Sequence, residues 1–394
     1  MKILVVCQHY YPEPFRITDI CEYLVKQGHD VKVITGIPNY PEGVIYDGYN
    51  SKETRDEIIN GVRVHRCFTV PRKTGFVFRI LNYYSYAFSS SRYTSSLKEK
   101  FDVVLVNQLS PVMMAKAAIA YKKKHSVKMV LYCLDLWPES LTAGGVKKGS
   151  IVYRIFHRVS QKIYRKADKI LISSKSFSRY FAEEFDIKET EYLPQYAEEI
   201  FDKKMCRRTA DEKVNLMFAG NVGAAQSVET IIKAADKTRN IKSLFWHIVG
   251  DGSELENIKN LTEKLQLDNV IFHGRHPLED MPKYYSMADA MLVTMKKDDV
   301  ISMTLPGKIQ TYMAAGKAII GAIDGETATV IRESESGMCC SAEDSDALAR
   351  IAIEFMECDQ RTKFGECSRA FYETNYSKSA VMKKLIEALE NTKG

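Results

Sequence analysis

The segment TLPGK, at residues 304–308, has the composition of a loop that opens a helix and binds an anion. Proline is favoured at a helix start, and Gly307 has no side chain to keep a ligand away from the backbone. Free amides at a helix start attract phosphate groups, and Lys308 would add a full positive charge. An ordinary helix start with a solvated lysine has the same sequence, so this segment alone leaves both interpretations open.

The elements around this segment alternate between strands and helices in both halves of the chain. The first strand, KILVVCQ, is followed by a helix with apolar residues at helical spacing (Ile17, Ile20, Cys21, Leu24 and Val25) and a stop at Gly28. The pattern restarts near residue 213 with KVNLMFAG and continues to PGKIQTYMAAG and KAIIGAI. Such alternation predicts an α/β fold with two doubly wound parallel sheets and a domain boundary near 197–212. Ligands of these sheets bind at the carboxyl ends of the strands.

The composition excludes several classes of protein. The 394 residues favour two or three domains, and no apolar run of about 18 residues predicts a membrane span. The N-terminus has no signal-peptide pattern. Nine cysteines without a C-x-x-C pair give no support to a zinc ribbon or a thioredoxin motif. We expect reduced cysteines in a cytoplasmic protein.

Charge is divided unequally along the chain. Residues 1–197 carry a net positive charge and the remainder a net negative charge, which predicts an anionic partner for the first half. Basic residues there flank two apolar helical patterns, around residues 79–92 and 154–166. Basic amphipathic helices suit an anionic membrane surface, although core packing with solvated cations is the alternative. Nucleic acid is not expected, because no recognised binding motif accompanies the basic residues.

The motifs of the second half resemble those of one enzyme family. AGNVGAAQSVETIIKAA, WHIVGDGSELENI, VIFHGRHPLEDMPKYYSMADAMLVT and PGKIQTYMAAGKAII resemble the donor half of family 4 retaining glycosyltransferases with the GT-B fold. In the first half, QHYYPEPFRITDICEYLVKQGHDVKVITGIPNYPEG, LDLWPES and ADKILISS are similar to a branch that transfers amino-deoxy sugars such as N-acetylfucosamine in bacterial surface-polysaccharide assembly. The resemblance covers nearly the whole chain.

The resemblance implies two Rossmann-like domains facing across a cleft. Residues 1–200 would bind the acceptor, residues 201–371 would bind the nucleotide-sugar donor, and a helix at about 372–394 would pack back on the first domain. The implied reaction moves an N-acetylated deoxyhexosamine from a UDP-sugar to a polyprenyl-diphosphate-linked saccharide, for capsule, O-antigen or exopolysaccharide. The enzyme would work without a metal or cofactor, peripherally on the cytoplasmic face of the inner membrane.

Two family features are replaced in this sequence. Met303 and Thr311 stand where many members have glutamates, and Asn221 and Gln226 stand where others have the basic pair that grips the donor diphosphate. We therefore expect Lys308 to supply the missing charge and act in catalysis.

The resemblance assigns further residues to the donor site. Gln310 or Thr311 would bond the ribose hydroxyls, and the backbone of Arg275 would hold the base. Glu326 would contact the donor sugar or ribose, with a plain loop carboxylate as the alternative. Arg16 would reach a phosphate from the first half. The remaining donor contacts are assigned to loop residues and their amides: Asn221, Gly223, Gln226, Thr304, Leu305 and Gly307.

Three residues of the first half are assigned to the acceptor. Asp135 and Glu139, in LDLWPES, follow a predicted strand, and His9 follows the first strand. Asp135 would orient the acceptor hydroxyl or the transferred sugar, and a helix-capping aspartate is the alternative. A histidine after a strand is also compatible with a structural role.

Two other functions remain compatible with the sequence. The replaced glutamates allow a catalytically inactive partner that only binds a nucleotide sugar. A nucleotide-sugar epimerase shares the fold, but it would need acid–base pairs that the sequence does not reveal.

Overall fold

The computed structural model of the chain describes residues 1–50, 53–72, 75–202, 204, 206 and 213–393. It divides into two compact units. The first comprises Met1–Ser173, Phe177–Leu193 and Met382–Gly394, and the second comprises Ser174–Ser176 and Pro194–Val381. Part of the boundary predicted near 197–212 lies outside the described residues.

The first unit is built on one sheet, mostly parallel. In the described part of the chain its strand order is β3-β4-β2-β1-β5-β6-β7-β8. The strands are β1 (Lys2–Val6), β2 (Asp30–Gly36), β3 (Asp56–Ile59), β4 (Val62–Cys67), β5 (Val103–Gln108), β6 (Lys128–Cys133), β7 (Lys169–Ile172) and β8 (Glu191–Tyr192). The central strands β1 and β5 are buried nearly throughout, as expected when helices cover both faces.

Helices of the first unit lie between these strands. They are α1 (Ile17–Lys26), α2 (Phe76–Ser96), α3 (Lys116–His125), α4 (Ile151–Tyr164) and α5 (Phe177–Phe185). A 3-10 turn at Val112–Ala115 directly precedes α3. The antiparallel pair β3–β4, joined at Asn60 and Gly61, was not predicted.

The second unit has a fully parallel sheet. Within the described residues its order is β11-β10-β9-β12-β13-β14. The strands are β9 (Val214–Ala219), β10 (Leu244–Val249), β11 (Val270–Gly274), β12 (Ala290–Thr294), β13 (Ala318–Ala322) and β14 (Gly337–Cys340). The strand order reverses between β9 and β12, which is where doubly wound sheets bind ligands.

The helices that follow cover both faces of this sheet. They are α6 (Val228–Lys237), α7 (Leu255–Lys264), α8 (Met281–Met287), α9 (Asp299–Ser302), α10 (Gly307–Ala314), α11 (Gly325–Glu333), α12 (Ser345–Glu357), α13 (Arg361–Asn375) and α14 (Lys378–Glu390), whose last residues belong to the first unit. Val228, Ile231 and Leu348 pack with Trp246 in one apolar core. Two doubly wound α/β units are therefore confirmed. None of the helices described is long and apolar enough to cross a membrane.

Candidate functional site

Three glycines shape the carboxyl ends of neighbouring strands in the second unit. The Gly250 amide donates to the Gly274 carbonyl at 2.8 Å, and the Gly220 amide donates to the Val249 carbonyl at 2.9 Å. A Cβ on Gly250, which has a φ of 141°, would lie 1.9 Å from the Gly220 carbonyl oxygen. The loops after β9 and β10 therefore pack backbone to backbone, and this packing excludes any side chain at Gly250.

The turn after β9 brings together three of the predicted donor residues. The side-chain oxygen of Gln226 accepts from the Gly223 amide at 3.2 Å and from the Asn221 side chain at 3.3 Å. The turn is thus held by its own polar groups. Asn221 is exposed at its edge, and its predicted contact with the donor is untested.

Lys308 reaches back toward β9 from the start of α10. Its amine nitrogen lies 3.9 Å from the centre of the Phe218 ring, and a Cβ on Gly220 would be 3.1 Å from it. The nitrogen is buried and has no hydrogen-bond partner among the described residues, although part of the side chain is accessible. This burial lowers the pKa of Lys308 from 10.5 to about 7.

The start of α10 is open to a ligand. Pro306 is the N-cap residue, no side chain caps the helix, and the Ile309 amide already donates to the Pro306 carbonyl. The amides of Gly307 and Lys308 make no hydrogen bond to the described residues. A Cβ on Gly307 would meet nothing within 4 Å. Uncapped amides beside a buried amine form a site whose chemistry suits an anion.

Gln310 and Thr311 are turned into their own helix. The side-chain amide of Gln310 is oriented so that its nitrogen faces acceptors. This nitrogen donates to the Pro306 and Gly307 carbonyls, each at 3.1 Å. The Thr311 hydroxyl donates to the Gly307 carbonyl at 3.2 Å. A ribose contact would have to replace or extend these bonds, and it stays a prediction.

The loop before α10 is supported by the start of α11. The Thr327 hydroxyl donates to the Thr304 carbonyl at 3.3 Å, and Leu305 is buried. The Glu326 carboxylate accepts hydrogen bonds from the hydroxyl and amide of Ser176, which belongs to the second unit. These bonds occupy Glu326 in the structure, while its predicted contact with the donor sugar is untested.

Arg275 follows β11 and is exposed. Nowhere in the described residues do three or more His, Cys, Asp or Glu side chains gather in a way that could hold a metal ion. The role of Arg275 and the absence of a metal requirement both remain predictions.

A pocket of about 350 Å³ lies in the first unit. It opens at the carboxyl ends of its central strands, where the strand order reverses between β1 and β5. Its lining combines polar, cationic and aromatic side chains, among them His9, Tyr40, Arg72, Arg79, Asp135 and Trp137. The structure therefore brings two predicted acceptor residues, His9 and Asp135, into one pocket suited to a hydroxylated ligand.

Asp135 is poorly solvated at the wall of this pocket. Burial raises the pKa of Asp135 above its usual value, and the neighbouring Ser110 and the charge of Arg72 act in the opposite direction. A carboxyl group in such a position can accept from a ligand hydroxyl, or donate to one when it is protonated.

Glu139 and Arg16 do not line the pocket. The buried Glu139 carboxylate accepts from the Tyr153 hydroxyl at 2.6 Å and lies 3.3 Å from the Lys148 amine. Arg16 is the N-cap residue of α1. Burial raises the pKa of the Tyr132 phenol, and the positive charge of Arg16 partly offsets this increase. Their predicted contacts with acceptor and phosphate are untested.

Two residues of these sites were missed by sequence reasoning. In the sequence, Phe218 is indistinguishable from other apolar strand residues, although its ring contacts the Lys308 amine. Glu13 lies 3.0 Å from His9, and it also accepts hydrogen bonds from Asn39 and Tyr40, which are 26 and 27 positions later in the chain. No spacing in the sequence could have linked Glu13 to those partners.

Two family models match the chain. Residues 202–371 match the model described as "Glycosyl transferases group 1", and residues 15–194 match the model described as "Glycosyl transferase 4-like domain". The chain is a family 4-type glycosyltransferase with the GT-B fold. It is a hexosyltransferase-type enzyme, as predicted.

Sequence relatives of this glycosyltransferase agree with the family models. It is 28% identical to a probable glycosyltransferase, WbjE, of Pseudomonas aeruginosa, over 81% of this chain and 82% of the relative. It is 24% identical to WcaI of Escherichia coli K12, a putative colanic acid biosynthesis glycosyl transferase, over 98% and 99% of the two chains.

Solved structures confirm the fold of the glycosyltransferase. Sucrose-phosphate synthase from Thermosynechococcus elongatus superposes with a TM-score of 0.76 at 15% identity, covering 99% of this chain and 98% of that one. Anabaena HepE in complex with UDP and glucose superposes with a TM-score of 0.71 at 14% identity, covering 99% of each chain.

Proposed function

We propose that this glycosyltransferase moves an N-acetylated deoxyhexosamine, such as N-acetylfucosamine, from a UDP-sugar to a polyprenyl-diphosphate-linked saccharide. The transfer retains the configuration at the anomeric carbon and requires no metal. It contributes to capsule, O-antigen or exopolysaccharide assembly at the cytoplasmic face of the inner membrane. The similarity to a putative colanic acid biosynthesis glycosyl transferase supports a role in polysaccharide assembly. The structural similarity to HepE in complex with UDP and glucose supports UDP as the nucleotide.

The buried amine of Lys308 carries the proposal for the donor. When the bond between the anomeric carbon and the donor phosphate breaks, negative charge develops on the departing diphosphate. An amine and uncapped amides already in place stabilise that charge without reorganising. In the retaining reaction the departing phosphate oxygen accepts the proton of the incoming hydroxyl, so no protein nucleophile is required.

The pocket of the first unit suits the acceptor saccharide. Aromatic side chains such as Tyr40 and Trp137 offer faces for a sugar ring, while Asp135 and His9 offer hydrogen bonds to its hydroxyls. Arg72 and Arg79 add positive charge at the same pocket, which suits a phosphorylated acceptor.

Exposed apolar side chains support the membrane contact. One stripe of α2 leaves Phe78, Leu81, Tyr84 and Phe88 accessible, with Phe88 at 72%. On α4, Ile151 is 78% exposed beside exposed Arg154 and Arg158. Phe156 is buried, as expected if the apolar side chains of these helices pack in the core, whereas the side chains of α2 named above and Ile151 are exposed. Apolar side chains flanked by cations favour an anionic membrane surface over a neutral protein partner.

Incubation with UDP-sugars and a polyprenyl-diphosphate-linked saccharide tests the proposal. We expect a longer lipid-linked saccharide whose new linkage keeps the anomeric configuration of the donor, by NMR of the product. Conversion of the UDP-sugar to its epimer would favour the epimerase. UDP binding without any turnover would favour the inactive partner.

A further inference from the structure

Glu13 is a buried carboxylate that binds two residues of the pocket in the first unit, His9 and Tyr40, and the adjacent Asn39. Its Oε1 accepts hydrogen bonds from the amides of Asn39, at 2.8 Å, and Tyr40, at 2.7 Å. Its Oε2 lies 3.0 Å from Nδ1 of His9. The side chain is 1% exposed, so water does not compete for these bonds.

The same contacts extend to the rest of the pocket wall. The Asn39 side-chain oxygen accepts from the Arg72 amide at 2.9 Å. Phe15 stacks on the His9 ring with 4.8 Å between centroids, and the Tyr40 ring approaches at 5.5 Å. The imidazole is therefore fixed by a carboxylate on one ring nitrogen and by aromatic contacts on its surface.

The hydrogen bonds of Glu13 determine which ring nitrogen of His9 carries the proton. Oε1 already accepts from two amides, and an ionised carboxylate can only accept hydrogen bonds. Nδ1 of His9 must then donate, which leaves Nε2 of the neutral ring unprotonated. No group in the described part of the chain bonds to Nε2, and His9 lines the pocket together with Asp135.

We propose that Glu13 is a positioning residue that keeps His9 in its Nδ1–H tautomer, so that Nε2 accepts a hydrogen bond from a hydroxyl of the saccharide acceptor. The identity of the ligand rests on the proposed function, whereas the tautomer does not. The pocket then recognises a hydroxyl as a donor at His9, beside the carboxyl group of Asp135.

Glu13→Gln separates this role from a purely structural one. The glutamine oxygen can still accept from the amides of Asn39 and Tyr40, so the loop stays in place. Its NH₂ group now faces Nδ1 of His9 and can only donate. The ring must present a lone pair at Nδ1, which moves the proton to Nε2 and removes the acceptor from the pocket.

The ¹⁵N NMR signals of the His9 ring report the tautomer directly. At about pH 8 we expect a protonated Nδ1 in the wild type and a protonated Nε2 in Glu13→Gln. Glu22→Gln, whose carboxylate accepts from the Asn60 side chain in an exposed position, is the matched control and should leave the spectrum unchanged.

Kinetics test the hydroxyl contact. Glu13→Gln should lower kcat/KM for the acceptor by about tenfold, the factor that one hydrogen bond carries, while KM for the donor and the melting temperature stay near wild type. His9→Phe keeps the stack on Phe15 but lacks the ring nitrogen, so it should show the same loss. The double variant should lose no more than either single variant.

Two results would overturn the inference. One is a protonated Nδ1 in Glu13→Gln, and the other is a changed tautomer with unchanged acceptor kinetics. If the wild type transfers no sugar at all, the proposed function and the hydroxyl contact fail together, while the ¹⁵N spectrum still decides the role of Glu13 in setting the tautomer.

Discussion

The amine of Lys308 lies 3.9 Å from the centre of the Phe218 ring and is buried without a hydrogen-bonding partner among the described residues. Burial lowers the pKa of Lys308 from 10.5 to about 7. A folded protein gains nothing from keeping such a group uncompensated, because the unfolded chain solvates it better. An anionic ligand that binds beside the amine would compensate the cost of burying it.

Replacing this amine should make the protein more stable. Between pH 7 and 10.5 the unfolded chain binds a proton on Lys308 that the folded chain does not, so the stability of the wild type rises with pH in that window. We expect Lys308→Met to raise the free energy of unfolding by about 1–3 kcal/mol at pH 7. The gain should shrink as the pH approaches 10.5, in urea unfolding curves at several pH values.

The control for this prediction is a lysine in an ordinary surface pair. Lys233 is half exposed and pairs with Glu229 on the same helix, at 2.6 Å. Lys233→Met should change stability by less than about 0.5 kcal/mol at any pH. A loss of stability in Lys308→Met would show that the amine is satisfied in the folded state.

Two glycines of the donor site should respond in opposite ways to alanine. Gly250→Ala places a Cβ against the Gly220 carbonyl at an unfavourable φ, so we expect a loss of about 3 kcal/mol or more in stability. Gly307→Ala meets no atom, and its melting temperature should stay at or above wild type.

The effect of Gly307→Ala should appear in ligand binding instead. A methyl group beside the uncapped amides would obstruct a diphosphate, so we expect UDP affinity to fall about tenfold, measured by calorimetry. Unchanged affinity would mean that the diphosphate does not approach the start of α10.

The sequence was sufficient for the architecture because apolar periodicity marks each strand and helix. It located the start of α10 and the strand ends that carry Asp135 and Asn221. It could not reveal that the Lys308 amine is buried against Phe218, since this depends on the packing of α10 on β9. The Asn60-Gly61 hairpin had a local signal that the regular βαβ pattern obscured.

Long-range bonds explain the remaining differences. The amides that Glu13 binds, of Asn39 and Tyr40, and the partner of Glu326, Ser176, lie far away in the chain, and only the fold brings them together. Thr311 and Gln310 bond carbonyls of the preceding turn, and their predicted contact with the ribose is untested. Side-chain direction within a helix turn is set by packing, which residue spacing alone does not determine.

The exposed stripes of α2 and α4 should bind anionic membranes. Phe88→Ser combined with Ile151→Ser should lower partitioning into phosphatidylglycerol-containing vesicles by about tenfold or more, because both side chains lose apolar contact with lipid. Ile58→Ser, at an equally exposed isoleucine on the edge strand β3, is the matched control. The membrane contact would be contradicted if the fraction of protein that cosediments with vesicles were the same for the wild type and the double variant, and the same for anionic and neutral lipid.

Asp135 and Glu139 should differ in what they contribute. Asp135 lines the pocket, so Asp135→Asn should lower acceptor-dependent turnover at least about tenfold with little change in melting temperature. Glu139 bonds Tyr153, so Glu139→Gln should reduce the free energy of unfolding by about 1–3 kcal/mol and leave turnover near wild type. Steady-state kinetics and thermal unfolding measure both effects. A loss of stability in Asp135→Asn together with a loss of turnover in Glu139→Gln would contradict this assignment.

Calorimetric titration with UDP, without metal and at several pH values, decides whether the Lys308 amine binds the donor diphosphate. We predict UDP binding that takes up a proton above pH 7 and weakens as the pH rises from 7 to 9, because the anion must recharge the Lys308 amine. Lys308→Met should bind UDP at least about tenfold more weakly, with no such pH dependence. Equal affinity of the wild type and Lys308→Met across this range would show that the Lys308 amine does not bind the diphosphate.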